Sequence, residues 1–210
     1  MVNYKILKMD NWKVETIKGT SNSPTIFLFR HAQTQYNKNK FFTGWKDSKL
    51  TPFGREQAKL VGEKLRGKKF EVAIHTHLSR SIDTLAAVLK YHPECKHAYN
   101  DDRMIERSYG ELSGTSHEAY AKKYGEEKLK ILRRDYNNQP PNGENMPMVE
   151  KRVFDFMDDL IPWMRKNKVN VAISAHGNSM RPFRKRMEKL NTEQMMALEN
   201  PWDDYFEYKV

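Results

Sequence analysis

Two short clusters hold the side chains best suited to chemistry. Arg30-His31 closes the apolar run TIFLF (residues 25–29), and His176-Gly177-Asn178 follows the apolar run VNVAIS (residues 169–174). Arginine presents a planar, permanently charged fork that matches phosphate oxygens. A histidine beside it can serve as base, metal ligand or nucleophile. His176 precedes a glycine and a helical pattern, and the free N–H groups of a helix start attract anions. Two histidines, an arginine and a helix end together make a cradle for phosphate. A metal reading would rest on His75 and His77. No third ligand at a useful spacing follows and there is no HExxH, so no metal is expected. Neither a GxxxxGKS/T loop nor GxGxxG is present, which removes the usual support for nucleotide-dependent kinases and dehydrogenases.

The elements that must position these clusters alternate in type. Residues 25–29, 71–76 and 169–174 read as short buried strands. Thr51 as N-cap and Pro52 as first residue open a helix with Ala58, Leu60, Val61 and Leu65 at helical spacing, and Gly67 stops it. A helix is expected over 81–92, loop-like chain over 98–113, two helices between 116 and 135, and a loop over 137–143. A long helix places Val149, Val153, Phe156, Met157, Leu160, Ile161 and Met164 on one face, with Pro162 kinking or shortening its end. Another opens at HGNSM and carries Met180, Phe183, Met187 and Leu190, and YFEYKV alternates like an edge strand. The alternation predicts an α/β three-layer sandwich, its mostly parallel central sheet flanked by helices. Ligands of such sheets bind beyond the carboxyl ends of the strands, where both clusters fall. Residues 1–20 read as an N-terminal extension, an extra strand or a loose arm, and 21–210 as a single catalytic domain.

Composition narrows the partners. One cysteine, Cys95, excludes a disulfide framework and a cysteine-based zinc site within one chain, and points to a reducing, cytoplasmic compartment. No apolar run approaches the ~20 residues of a membrane span, and the opening 20 residues lack the apolar core of a secretory signal. The net charge of +10 favours anionic partners: nucleic acid, anionic lipid or phosphorylated metabolites. The densest basic stretch, 181–189, reads as a solvated helix face. No aromatic-interleaved basic stripe supports nucleic acid. A small phosphorylated substrate is therefore expected, with no membrane partner and a homodimer left open.

Five segments carry a family resemblance: FLFRHAQTQYNKNKFFTGWKDSKLTPFGREQA, HTHLSRSIDTLAAVL, DRMIERSYGELSG, KYGEEKLKILRRDY and AHGNSMR. In this order they resemble the motifs of the histidine phosphatase superfamily and, through ERSYG and KYGEE…RR, its cofactor-dependent phosphoglycerate mutases. The resemblance covers most of the chain between about 25 and 190. It implies interconversion of 3- and 2-phosphoglycerate through a phosphohistidine, with 2,3-bisphosphoglycerate as priming phosphoryl donor and no metal.

Residue by residue, the resemblance makes His31 the nucleophile, with Arg30 and Arg80 gripping the transferred group. His176 becomes the second pocket histidine and Glu106 the general acid/base. It assigns Asn37, Gly177 and Asn178 to the pocket. Substrate contact falls to Thr43, Gly44, Arg107, Tyr109, Arg133 and Arg134, and His117 stands where the family has a substrate-contacting lysine. Phe42 and Trp45 read as core. Three departures carry consequences. Ala32 replaces a family glycine and would be strained at positive φ. A neutral His117 would hold a substrate carboxylate less well than lysine. The tail ENPWDDYFEYKV differs from the family ending that helps close the pocket, which would favour water as acceptor. The rival readings are a phosphomonoesterase of the same superfamily and, in another class, a catalytically inactive relative that binds anions.

Overall fold

The computed structural model describes residues 7–8 and 17–210. Six strands form one sheet: β1 (Leu7–Lys8), β2 (Thr25–Arg30), β3 (Val72–His75), β4 (His97–Asn100), β5 (Val171–Ala175) and β6 (Tyr205–Lys209), in spatial order β1-β4-β3-β5-β2-β6. Neighbours run parallel except β6, which lies antiparallel on the edge beside β2. The central runs are apolar throughout because helices cover both faces. Alternation sends Ile26, Leu28, Val171 and Ile173 to one side and Phe27, Phe29 and Ala172 to the other.

The first side meets α6 (Met146–Asn167) and α7 (Gly177–Glu188) through Val153, Phe156, Leu160, Met180 and Phe183. The second meets α2 (Pro52–Leu65) and α3 (Ser79–Leu89) through Val61, Leu65, Leu85 and Val88. Each large side chain buried this way contributes about 1.5–3 kcal/mol. Thr51 caps α2 as expected, accepting from the Gly54 N–H at 2.9 Å. The remaining helices are α1 (Gln35–Lys38), α4 (His117–Tyr124), α5 (Glu126–Arg134) and α8 (Thr192–Ala197). The loop at 137–143 and the edge strand stand as expected.

Several local expectations are corrected. The chain over 98–113 is not all loop, because β4 opens it and pairs with β3, burying Ala98 and Tyr99. Helix α6 runs through Pro162 to Asn167, the proline sitting on its exposed side. Leu60 faces solvent, and Leu190 lies past the end of α7. The basic stretch is not simply solvated, since Arg181 and Arg184 are buried. Within the expected extension, Leu7 and Lys8 pair with Tyr99 and Asn100, while residues 1–6 and 9–16 lie outside the described residues. Among the described residues no helix is long and apolar enough to cross a membrane.

Candidate active site

Strand register builds the centre. Arg30 pairs with Ala175 across β2 and β5, and the His31 N–H donates to the Ala175 carbonyl at 2.9 Å. The next residues on the two strands, His31 and His176, therefore leave the sheet side by side. Their rings lie 5.0 Å apart at 56°, and both are buried. His31 Nδ1 bonds the Ala32 carbonyl at 2.8 Å. A carbonyl only accepts, so Nδ1 carries the proton and the neutral ring keeps its lone pair on Nε2. Burial, then Arg80 and Arg30, hold His31 well below the ordinary histidine range. Burial and Arg80 do the same to His176. His176 Nε2 lies 2.8 Å from Thr76 Oγ1, and its buried Nδ1 has no partner.

Glu106 completes the centre. Its Oε1 accepts from the backbone N–H groups of Arg107 at 2.8 Å and Asn178 at 3.1 Å, the latter in the first turn of α7. Ligating atoms of His31, Glu106 and His176 lie within 4.8 Å of one another, a spacing that could hold a cation. The charges around it favour an anion instead. Arg30 and Arg80 press on both histidines, and their buried Nε groups are unpartnered donors. Phosphate oxygens would satisfy these groups, whereas a cation would add to the crowded positive charge.

Gly177 makes room for this grip, because a Cβ there would meet the Arg30 guanidinium at 3.3 Å. Arg80 donates to the carbonyls of Gly44 at 2.7 Å and Lys46 at 2.9 Å, tying the loop before α2 to the centre. Gly44 adopts a φ of 52°, a left-handed turn that favours glycine.

Above the centre opens a cleft of about 600 Å³. Its walls bring together Arg30, Asn37, Thr43, Gly44, Glu106, Tyr109, His117, Arg133, Arg134, Gly177 and Asn178 from the expected set. His31, Arg80 and His176 are buried at the centre. Arg107 is the exception and its expected substrate contact is corrected. It is fully buried and donates to the carbonyls of Glu144, Leu132 and Asn138 at 2.6, 3.3 and 2.6 Å, away from the cleft wall. His117 packs 4.3 Å from the Phe42 ring, and burial, Arg133 and Lys40 push it down to about 4. It is therefore uncharged at neutral pH.

Other expectations change here. Phe42 is buried as expected and also lines the cleft. Trp45 is half exposed rather than core, its indole N–H donating to the Glu106 carbonyl at 2.7 Å. Ala32 is not among the residues at positive φ. It is buried beside Leu50 and Ala58, its N–H satisfied by Thr84 Oγ1 at 3.0 Å, so the strain condition is not met. Sequence reasoning missed Lys40, Arg181, Glu199, Asn200 and Trp202 in the wall. Arg181 follows Asn178 by three residues on α7, a spacing that shares a helix face and could have revealed it. Burial and Arg134 lower Arg181 to about 10. Trp202 lies under the Arg30 guanidinium at 4.8 Å.

The family model of the histidine phosphatase superfamily (branch 1) matches residues 26–203. A 2,3-bisphosphoglycerate-dependent phosphoglycerate mutase of Parvibaculum lavamentivorans is 37% identical over 177 residues, covering 82% of this chain and 84% of the relative. Among solved structures, the alpha-ribazole phosphatase of Shigella flexneri aligns with a TM-score of 0.75 at 21% identity, over 87% of this chain and 89% of its own. A phosphoglycerate mutase of Bacillus anthracis aligns with a TM-score of 0.71 at 23% identity, over 90% and 93%. The chain, an α/β sandwich with paired histidines at adjacent strand ends, belongs to the histidine phosphatase superfamily and, within it, to the phosphoglycerate mutase family.

Proposed function

We propose that this chain interconverts 3-phosphoglycerate and 2-phosphoglycerate, carrying the phosphoryl group on His31 and taking its first one from 2,3-bisphosphoglycerate. The observation that carries the reading is the pair of buried, unpartnered guanidinium donors beside a neutral His31, Arg30 Nε and Arg80 Nε. Nε2 of His31 attacks phosphorus, and these donors take up the charge on the phosphoryl oxygens. Once loaded, His31 passes its group to the free 2-hydroxyl of 3-phosphoglycerate, and Nε2 then takes the 3-phosphoryl group of the bisphosphate so formed, which leaves 2-phosphoglycerate. Glu106 removes the proton of the attacking hydroxyl and gives it back to the leaving one. Arg133, Arg134 and Arg181 hold the carboxylate end of the substrate. No metal enters these steps. We place the enzyme in a reducing, cytoplasmic setting on the strength of its lone cysteine, Cys95.

A second reading, a phosphomonoesterase that passes the group from His31 to water, is favoured by the uncharged His117 in the cleft wall, where the family resemblance would have a substrate-contacting lysine. An inactive anion-binding relative is disfavoured because His31, His176 and Glu106 are all in place. The deciding assay follows 2-phosphoglycerate and free phosphate from 3-phosphoglycerate, with and without catalytic 2,3-bisphosphoglycerate. The mutase reading expects 2-phosphoglycerate to form faster, and faster still when primed. Free phosphate outrunning 2-phosphoglycerate would establish the phosphatase instead.

A further inference from the structure

Glu199 stands in the cleft wall among arginines that an anionic ligand needs. Its carboxylate accepts from Arg134 Nη2 at 2.6 Å. Burial costs it something, yet the bond from Arg134 and the charges of Arg181 and Arg30 hold its carboxyl below the ordinary carboxylate range. It is an anion at neutral pH, facing the same cations a substrate would face.

Its backbone is pinned. Arg181 donates to the Leu198 carbonyl at 3.0 Å, Arg184 to the Glu199 carbonyl at 3.0 Å and Arg30 to the Asn200 carbonyl at 3.2 Å. Asn200 Nδ2 returns a bond to the Gly177 carbonyl at 2.9 Å. The segment thus hangs from α7 and the end of β2 and presents its carboxylate to α5. The pair itself is solvent-exposed on both sides, with side-chain exposures of 38% and 74%. Such pairs are weak, so a more highly charged ligand can displace this one.

We infer that Glu199 is a built-in competing anion, which occupies the Arg134 end of the cleft and yields to a ligand bearing a second anionic group. Glu199 thereby sets a threshold: a single phosphate reaches the buried centre, but only a two-headed anion recovers Arg134 as well. This rests on the reading of the cleft as a site for phosphorylated anions.

Pyrophosphate binding, measured by isothermal titration, tests the inference without any turnover. Glu199→Gln is expected to tighten pyrophosphate about five- to tenfold, from loss of the competing pair and of like-charge repulsion. Glu118→Gln is the control, since Glu118 also lines the cleft but pairs with Lys122. Its gain is expected to stay below about twofold, the general effect of one added positive charge. Equal gains in the two variants, weaker binding in Glu199→Gln, or no pyrophosphate binding in any of the proteins would overturn it. A Glu199→Gln gain in a protein that does not turn over phosphoglycerate would uphold it while refuting the mutase reading. Turnover without the gain would do the reverse.

Discussion

His31 and His176 lie with their rings 5.0 Å apart because they follow a paired position, Arg30 with Ala175, on adjacent parallel strands. Two buried imidazoles at that distance, beside Arg30 and Arg80, cannot both carry charge cheaply, and both are held neutral.

That neutrality sets a pH dependence of stability. Below the ordinary histidine value of 6.5 the unfolded chain binds protons that the folded one refuses. The stability is complete above about pH 6.5 and is lost as pH falls toward the lowered folded-state values. Thermal unfolding followed from about pH 8 down to about pH 5.5 is expected to show Tm falling by several degrees below pH 6.5. His176→Gln should flatten that fall. A wild-type Tm level across the range would contradict the neutral pair.

Glu106→Gln separates chemistry from architecture. Glutamine keeps an oxygen to accept from the Arg107 and Asn178 N–H groups, so the loop and the α7 start stay in place. It cannot take up the proton. Turnover is expected to drop about 100-fold or more, while His31 still accepts phosphate. Turnover within a few-fold of wild type would remove Glu106 from its role.

Arg107 yields the opposite pattern. Its guanidinium is spent on three carbonyls away from the cleft. Arg107→Lys leaves some of these acceptors unmet, at about 1–3 kcal/mol each. Tm should fall by several degrees, with KM for 3-phosphoglycerate changing less than about threefold in the folded fraction. A large KM increase at unchanged Tm would restore the substrate contact.

What could be read from the chain follows from where each signal resides. His31 and His176 were legible because a polar residue ending an apolar strand has few places to go but the sheet's carboxyl edge. Strand β4 was not, since its four residues, HAYN, offer two apolar side chains and its strand identity comes from pairing with β3. Arg181 and Arg184 look like any solvated basic run, and only packing against the chain after α8 buries them. Arg107 and Trp45 failed the other way. Their types suited a grip and a core, but backbone carbonyls that no pattern reveals drew one inward and the other to the rim.

The central claim is that His31 carries the phosphoryl group. The most direct measurement is to incubate the protein with 2,3-bisphosphoglycerate labelled in its phosphates, quench in alkali and map the acid-labile label by peptide mass spectrometry. The account predicts label on His31, lost in His31→Gln and retained in Glu106→Gln. Label on His176 with none on His31, or labelling that survives in His31→Gln, would contradict it.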